Sequence, residues 1–314
     1  MELEAYSLLP EDELVRRIQR AKAEKNAVLL VHNYQRMEVQ RVADFLGDSL
    51  GLSQQATQTQ ADLIVFCGVD FMAESAKILN PEKTVLLPDK NAGCPMAAMA
   101  TAEAVRRKKT EYPDAVVVSY VNTSAEVKAE SDICCTSANA VKVIRSLGNR
   151  TILFVPDRNL ANYCADQTGA HIIPWDGYCY VHDRFTVEDV ERARAAHPEA
   201  LFVAHPECRR EVLARADHVA STSGMVKWVD ALSEADARRG VILGTEVGLV
   251  HQLQAKYPNR LIVPLKEQGI CATMKLTNLS KVAWSIENGM YTIEVPEDIR
   301  LRAKAALDRM LSIS

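Results

Sequence analysis

Charged segments with helical periodicity alternate along this chain with short runs that are apolar throughout, and the alternation occurs three times. The stretches ELVRRIQRAKAEKNAVLLVHNY, EAVRRKKTEYPDAVVVSYVN and EDVERARAAHPEALFVAHPE each carry a helix pattern that ends near Asn or Pro and runs into a Val/Leu/Ala strand. A second strand and helix follow in ADLIVFCGVDFMAESAKIL, SDICCTSANAVKVIRSL and ADHVASTSGMVKWV, and a third strand in TVLLPD, TILFVPD and VILGTEV. Strands without polar alternation, separated by helices, predict parallel sheets covered on both faces. The fold class expected is α/β: three pseudo-threefold-related, three-layer α/β/α units of about 90 residues each, around a central site.

Length would by itself suggest about two domains of ~150 residues, and the repeat overrides that prior. The expected division is 1–94 plus 272–314, 95–180 and 181–271, with the final helix, PEDIRLRAKAALDRMLSI, opening on Pro296 and returning to the first unit. With 48% hydrophobic and 25% charged residues the composition is that of an ordinary globular protein. A net charge of −4 argues against nucleic acid or an anionic membrane as the main partner. No apolar run reaches the ~18 residues of a membrane span, and the acidic start MELEAYSLLPEDEL does not read as a signal peptide. A cytoplasmic location is therefore expected, in which the eight cysteines are thiols or metal ligands rather than disulfides.

Three of those cysteines share a local phrase. Cys94, Cys179 and Cys271 end VLLPDKNAGC, IIPWDGYC and IVPLKEQGIC, each an apolar run, a proline, a short polar stretch and a glycine, at nearly equal spacings. Three copies of one unit, each delivering a thiolate from a strand end, would make a metal or cluster site on the pseudo-threefold axis. The plain alternative is that they are buried strand-end residues, since free cysteine is a common buried hydrophobe. Cys67, Cys134 and Cys135 are read that way, as core. Cys164 lies in a helical stretch and Cys208 follows HPE, so neither shares the phrase, and a place for Cys208 near the candidate site is left open. None of the three repeated cysteines belongs to a C-x-x-C pair, which disfavours zinc ribbons and bacterial ferredoxin runs. Three isolated thiolates suit a 4Fe-4S cluster with one iron left open to act as a Lewis acid.

Polar pairs at the first strand of each repeat strengthen the case for a site. His32 and Tyr34, Tyr120 and Asn122, and His205 and Glu207 are each two positions apart, so each pair projects to one side of an extended chain. Ligands of open parallel sheets bind beyond the carboxyl ends of strands, where these residues fall. A lone His or Tyr at a strand end is usually a hydrogen-bonded structural group; the recurrence in all three repeats favours a shared chamber. Ser137 in CTSANAVK and Ser221, Thr222, Ser223 and Gly224 in STSGMVK stand before a helix, where hydroxyls and backbone N–H groups receive carboxylate or phosphate oxygens. Plain N-capping is the default for Ser137. Asp48 and Ser49 in FLGDSLG are a weaker candidate of the same type, and Thr245 and Glu246 in LGTEVG are placed to face the same chamber. Phosphate-loop, GxGxxG and HExxH patterns are absent from the sequence, so nucleotide hydrolysis, dinucleotide binding and metalloprotease chemistry gain no support.

Taken in order, VHNYQ, GDSLGLSQ, AGCPMA, SYVNTSAEVKAESDICCTSANA, GYCYVH, AHPEC, STSGM, GTEVGLVHQL and CATMKL resemble the quinolinate synthase family of NAD biosynthesis, from about Val31 to Leu276. The resemblance implies three α/β/α domains about a pseudo-threefold axis and a 4Fe-4S cluster held by three cysteines, in agreement with the repeat. Some members of that family carry a C-x-x-C-x-x-C run near the C-terminus, whereas CATMKL here has Cys271 alone. The third ligand is then unambiguous, and a thiol–disulfide switch dependent on such a run should be missing.

The activity implied is condensation of iminoaspartate with dihydroxyacetone phosphate to quinolinate, phosphate and water, with L-aspartate oxidase as the functional partner that supplies the imine. By similarity Glu207 is the principal general base, assisted by His205 and Tyr34. Tyr120 and Asn122 orient the triose, and His32, Ser49, Ser137, Ser221 and Thr222 hold carboxylates or phosphate. Cys94, Cys179 and Cys271 ligate the cluster, whose open iron polarises substrate oxygen. Two other classes remain open. One is a three-domain protein with structural zinc at the same thiolates that binds small anions without turnover; the other is an electron-transfer iron–sulfur protein, for which six convergent acid–base and polar groups would serve no purpose.

Overall fold

The computed structural model describes residues 2–313 of the chain. Its described strands form three sheets of four, and every pairing within them is parallel. The first holds β1 (Ala27–His32), β2 (Phe45–Gly47), β3 (Leu63–Cys67) and β4 (Thr84–Leu86) in the order β2-β1-β3-β4. The second holds β5 (Val116–Tyr120), β6 (Ile133–Cys135), β7 (Ile152–Val155) and β8 (Ile172–Pro174), ordered β6-β5-β7-β8. The third holds β9 (Leu201–Ala204), β10 (His218–Val219), β11 (Val241–Gly244) and β12 (Ile262–Pro264), ordered β10-β9-β11-β12. The same permutation three times is the structural form of the sequence repeat.

The central strands β3, β5, β7, β9 and β11 are buried along their whole length, as their unbroken apolar runs require. Helices cover both faces. The helix Glu11–Glu24 begins with Glu11, Asp12 and Glu13, whose charges suit a helix N-terminus, and turns Leu14, Ile18 and Ala21 inward. One apolar core runs between the first and second units, from Val28 and Phe66 through Val118 and Phe154 to Met310 of the last helix. The third sheet has a separate core on each face, around Phe202 and Ile242 on one side and Val203 and Leu243 on the other.

Two features depart from the expected strand map. Each sheet has a fourth strand, because the apolar runs ahead of the cysteines, Ile172–Pro174 and Ile262–Pro264, pair with β7 and β11. In the first unit the repeat is also displaced by one strand: LIVFC is its third strand, TVL its fourth, and its second is Phe45–Gly47. That second strand is a short sheet edge with Phe45 and Leu46 exposed, so it carries little of the apolar signal that marks its neighbours. Asp48 and Ser49 thereby correspond to Thr136 and Ser137 and to Ser221 and Thr222.

The chain's end is divided between two units. The helix Leu279–Asn288 packs against Glu11–Glu24 and Leu3–Ser7 of the first. The last helix, Glu297–Ser312, was expected to return there too, but lies mainly on Ala125–Ala129 and β6 of the second unit while also touching Asp70–Leu79 of the first. Its apolar face, Ala303, Ala306, Leu307 and Met310, thus closes the seam between the two.

Candidate active site

The carboxyl ends of the strands from all three sheets face one internal cavity. Its lining includes the six strand-end groups His32, Tyr34, Tyr120, Asn122, His205 and Glu207 and the three cysteines Cys94, Cys179 and Cys271. Ser49, Ser137 and Thr222 line it as well. Ser221 does not: its hydroxyl donates to Asp48 Oδ2 at 3.3 Å and accepts the Gly224 N–H, capping Thr222–Asp230. The capping default for Ser137 is replaced by a different contact, since its side chain bonds Tyr120 and the helix Ala140–Ser146 has no side-chain cap.

First-strand geometry is duplicated between the first and third units. The Tyr34 N–H donates to His32 Nδ1 at 3.2 Å, and the Glu207 N–H donates to His205 Nδ1 at 3.3 Å. An accepting Nδ1 leaves the hydrogen of a neutral imidazole on Nε2. Burial pushes the two rings below their ordinary pKa, to about 4 for His32 and about 3 for His205, so both are neutral donors near pH 7.

Glu207, 3% exposed, is the hub. Burial raises its pKa, but His205, His182 and the Tyr120 hydroxyl outweigh that effect and hold it at about 2, as a carboxylate. Oε1 accepts from the Tyr120 hydroxyl at 2.5 Å, and Oε2 lies 2.7 Å from His182 Nδ1. With its Nδ1 hydrogen on the carboxylate, His182 presents Nε2 as an acceptor to Thr245 Oγ1 at 3.1 Å, and Thr245 receives the Tyr34 hydroxyl at 2.7 Å. The rings of His182 and His205 stack at 4.5 Å. A hydrogen-bonded chain therefore runs Tyr34, Thr245, His182, Glu207, Tyr120, Ser137, with members from every unit. Burial first, and the Glu207 charge second, raise the phenols of Tyr34 and Tyr120 well above their ordinary pKa, so both remain donors.

His182 is the principal group that the sequence reading omitted. It follows Cys179 by three residues, and its Nδ1 is 3.2 Å from Cys179 Sγ. Thr245 and Glu246 were placed facing the chamber; Thr245 sits in the relay, and Glu246 lines the cavity and accepts the Cys271 N–H. Cys67, Cys134 and Cys135 are buried as expected, and Cys164 and Cys208 are buried away from the lining.

The donor set fits a three-thiolate cluster. Cys94, Cys179 and Cys271 all open on the cavity, and the neighbouring thiols raise the pKa of Cys94 and of Cys179. Burial is the larger effect and pushes Cys94 to about 12, so ionisation of these thiols calls for a positive centre among them. One buried acceptor, Asn122 Oδ1, finds no hydrogen-bond partner among the described residues, and its residue is among those that line the cavity.

Residues 16–312 match the family model described as quinolinate synthetase A protein. The chain is 52% identical over 301 residues to a quinolinate synthase of Methanosarcina barkeri, covering 96% of this chain and 98% of that one. It is 53% identical over 303 residues to a quinolinate synthase of Desulforudis audaxviator, covering 96% and 99%, and 51% identical over 293 residues to one of Thermodesulfovibrio yellowstonii, covering 93% and 95%.

Proposed function

The chain belongs to the quinolinate synthetase A family, and on that premise we propose that it is a quinolinate synthase whose chemistry takes place in the three-unit cavity, beside a 4Fe-4S cluster held by Cys94, Cys179 and Cys271. The observation that carries the reading is the meeting of those thiols with six strand-end acid–base and polar groups in one enclosed space. When bound, the cluster supplies a Lewis-acidic iron with an open position.

The protein's own residues supply the rest. Condensation of iminoaspartate with dihydroxyacetone phosphate requires protons to be moved on the triose, hydroxyl groups to be oriented, and carboxylates and a phosphate to be anchored. Glu207, ionised and hydrogen-bonded on both oxygens, is the proton acceptor; a carboxylate with a pKa of about 2 holds a proton only in passing and returns it to the substrate, as to a departing hydroxyl. Tyr34 and His205 assist, Tyr34 through Thr245 and His205 as a neutral Nε2–H donor beside the carboxylate. Asn122, with its unpaired Oδ1, receives a substrate hydroxyl next to Tyr120. His32, Ser49, Ser137 and Thr222 hold carboxylate or phosphate oxygens; Ser221 serves them as the cap of its helix. Burial of His32, Tyr120, His205, Glu207 and Thr222 keeps water from the groups around the imine, which water would hydrolyse.

The imine must come from oxidation of an amino acid, and we assign that step to L-aspartate oxidase as the functional partner. Among the described residues no helix is long and apolar enough to cross a membrane, and a cytoplasmic setting suits free thiols. We divide the chain at 1–94 with 272–314, 95–180 and 181–271, with the last helix of the first part lying mainly against the second. The test of the function is an anaerobic assay with both substrates, scored for quinolinate; a cluster-loaded chain that forms none would overturn it.

One observation favours a second reading. Ligand atoms of Cys179, His182 and Glu207 lie within 4.8 Å of one another, a set zinc accepts. Zinc without sulfide in anaerobically purified protein would favour an anion-binding module; iron with sulfide favours the synthase.

A further inference from the structure

Each of the three cysteine N–H groups is held by a carboxylate from the neighbouring strand of its own sheet. The Cys94 N–H donates to Asp70 Oδ1 at 3.3 Å, Cys179 to Asp157 Oδ2 at 3.2 Å, and Cys271 to Glu246 Oε1 at 3.1 Å. The acids stand just beyond β3, β7 and β11, and the cysteines in the loops that follow β4, β8 and β12. A second bond closes each ring: Asp70, Arg158 and Val247 donate their N–H to the carbonyls of Ala92, Gly177 and Gly269, two residues ahead of each cysteine, at 2.8, 2.8 and 3.0 Å. At Gly177 a Cβ would meet the Pro156 carbonyl oxygen at 2.4 Å, so the second loop depends on this close approach.

Helix capping explains the acids only in part. Asp157 and Glu246 are N-caps of the helices they precede, but Asp70 is one position further on, inside Asp70–Leu79, whose cap is Val69. The first unit thus reaches the same bond to its cysteine from a displaced position. What the three acids have in common is the cysteine N–H rather than the cap. Backbone groups around metal ligands fix ligand direction, and losing such a contact typically weakens metal retention about 10–100-fold.

We propose that Asp70, Asp157 and Glu246 are positioning residues for the cluster, each locking the backbone of one ligating cysteine so that its sulfur is presented to the cavity. The inference rests on the cluster reading above. Its atomic detail makes substitutions distinguishable. Asp70 Oδ1 receives both the Cys94 N–H and the Phe71 N–H, so asparagine retains both bonds. Asp157 divides its bonds, Oδ1 to the Leu160 N–H and Oδ2 to the Cys179 N–H, so asparagine places an amide against one of two donors.

The experiment uses the full chain, purified anaerobically, as wild type, Asp70→Ala, Asp70→Asn and Asp157→Asn. Iron and sulfide are counted, bleaching of the brown absorbance is followed under excess ferrous chelator, and melting of the iron-free chains is recorded. Asp70→Ala and Asp157→Asn should bleach about 10–100-fold faster than wild type, and Asp70→Asn near the wild-type rate. Should the alanine variant not fold, the two asparagine variants carry the comparison between themselves. Wild-type bleaching in Asp70→Ala or Asp157→Asn, or equal loss in both Asp70 variants, overturns the inference alone. Wild-type protein with zinc and no sulfide overturns the cluster reading and this inference with it.

Discussion

Replacing Glu207 by glutamine changes one oxygen for an amide and leaves the volume unchanged, so it tests the chemistry at the hub of the site with little disturbance of packing. Both carboxylate oxygens are engaged, Oε1 by the Tyr120 hydroxyl at 2.5 Å and Oε2 by His182 Nδ1 at 2.7 Å. Whichever side receives the amide nitrogen then has donor facing donor in a residue that is 3% exposed. A buried donor left unpaired costs about 1–3 kcal/mol, and at roughly 2–4 °C per kcal/mol for a chain of this order the melting temperature should fall by several degrees. Turnover should fall much further. Loss of a positioned general base removes about 10²–10⁴-fold, and the imidazole neighbours lose the anion that orients them. The assay is anaerobic quinolinate formation under saturating substrates, with iron and sulfide counted in the same sample. The cluster should be retained, because the ligands proposed for it are the three thiols and not Glu207. Turnover within a few-fold of wild type would refute the role of Glu207 as the proton acceptor, and loss of iron together with turnover would instead place it among the ligands.

Further expectations concern the ligands and the relay. Cys94→Ala, Cys179→Ala and Cys271→Ala should each abolish the broad brown absorbance of anaerobic protein while Cys164→Ala and Cys208→Ala keep it; a full cluster in any of the first three removes that residue from the ligand set. His182→Gln should lower kcat about 10²-fold or more, the usual scale for a lost proton-transfer partner, with a melting profile that shows a folded chain; unchanged kcat would remove His182 from the relay. Gly177→Ala should destabilise the chain by about 1–3 kcal/mol through overpacking and reduce cluster content, since its Cβ would lie 2.4 Å from the Pro156 carbonyl oxygen; normal iron and sulfide would show that the loop yields without moving Cys179.

The repeat, the parallel sheets and the three special cysteines were legible in the order of residues, because each is written locally: unbroken apolar runs for strands buried on both faces, and one phrase of proline, glycine and cysteine used three times. The strand-end pairs were legible for the same reason, since a spacing of two on an extended chain sets a common direction. Edge strand Phe45–Gly47 was not, being three residues long and half-exposed, so its pattern hardly differs from that of a loop. His182 was hidden because the short helix that carries it lies outside any strand, and only the packing of that turn beside the end of β9 brings Nδ1 to Glu207.

Local pattern, then, settles which segments become strands and which side chains stand at their ends, because those depend on periodicity and neighbouring residues alone. Only the tertiary structure decides that Ser221 caps a helix while Ser137 bonds Tyr120, that the last helix closes the seam of two units, and that Asp70, Asp157 and Glu246 each hold a cysteine backbone. The three cysteine contacts join residues 22 to 25 positions apart, and the direction of a hydrogen bond over such a span is set by how sheets and helices dock, which no stretch of sequence specifies by itself.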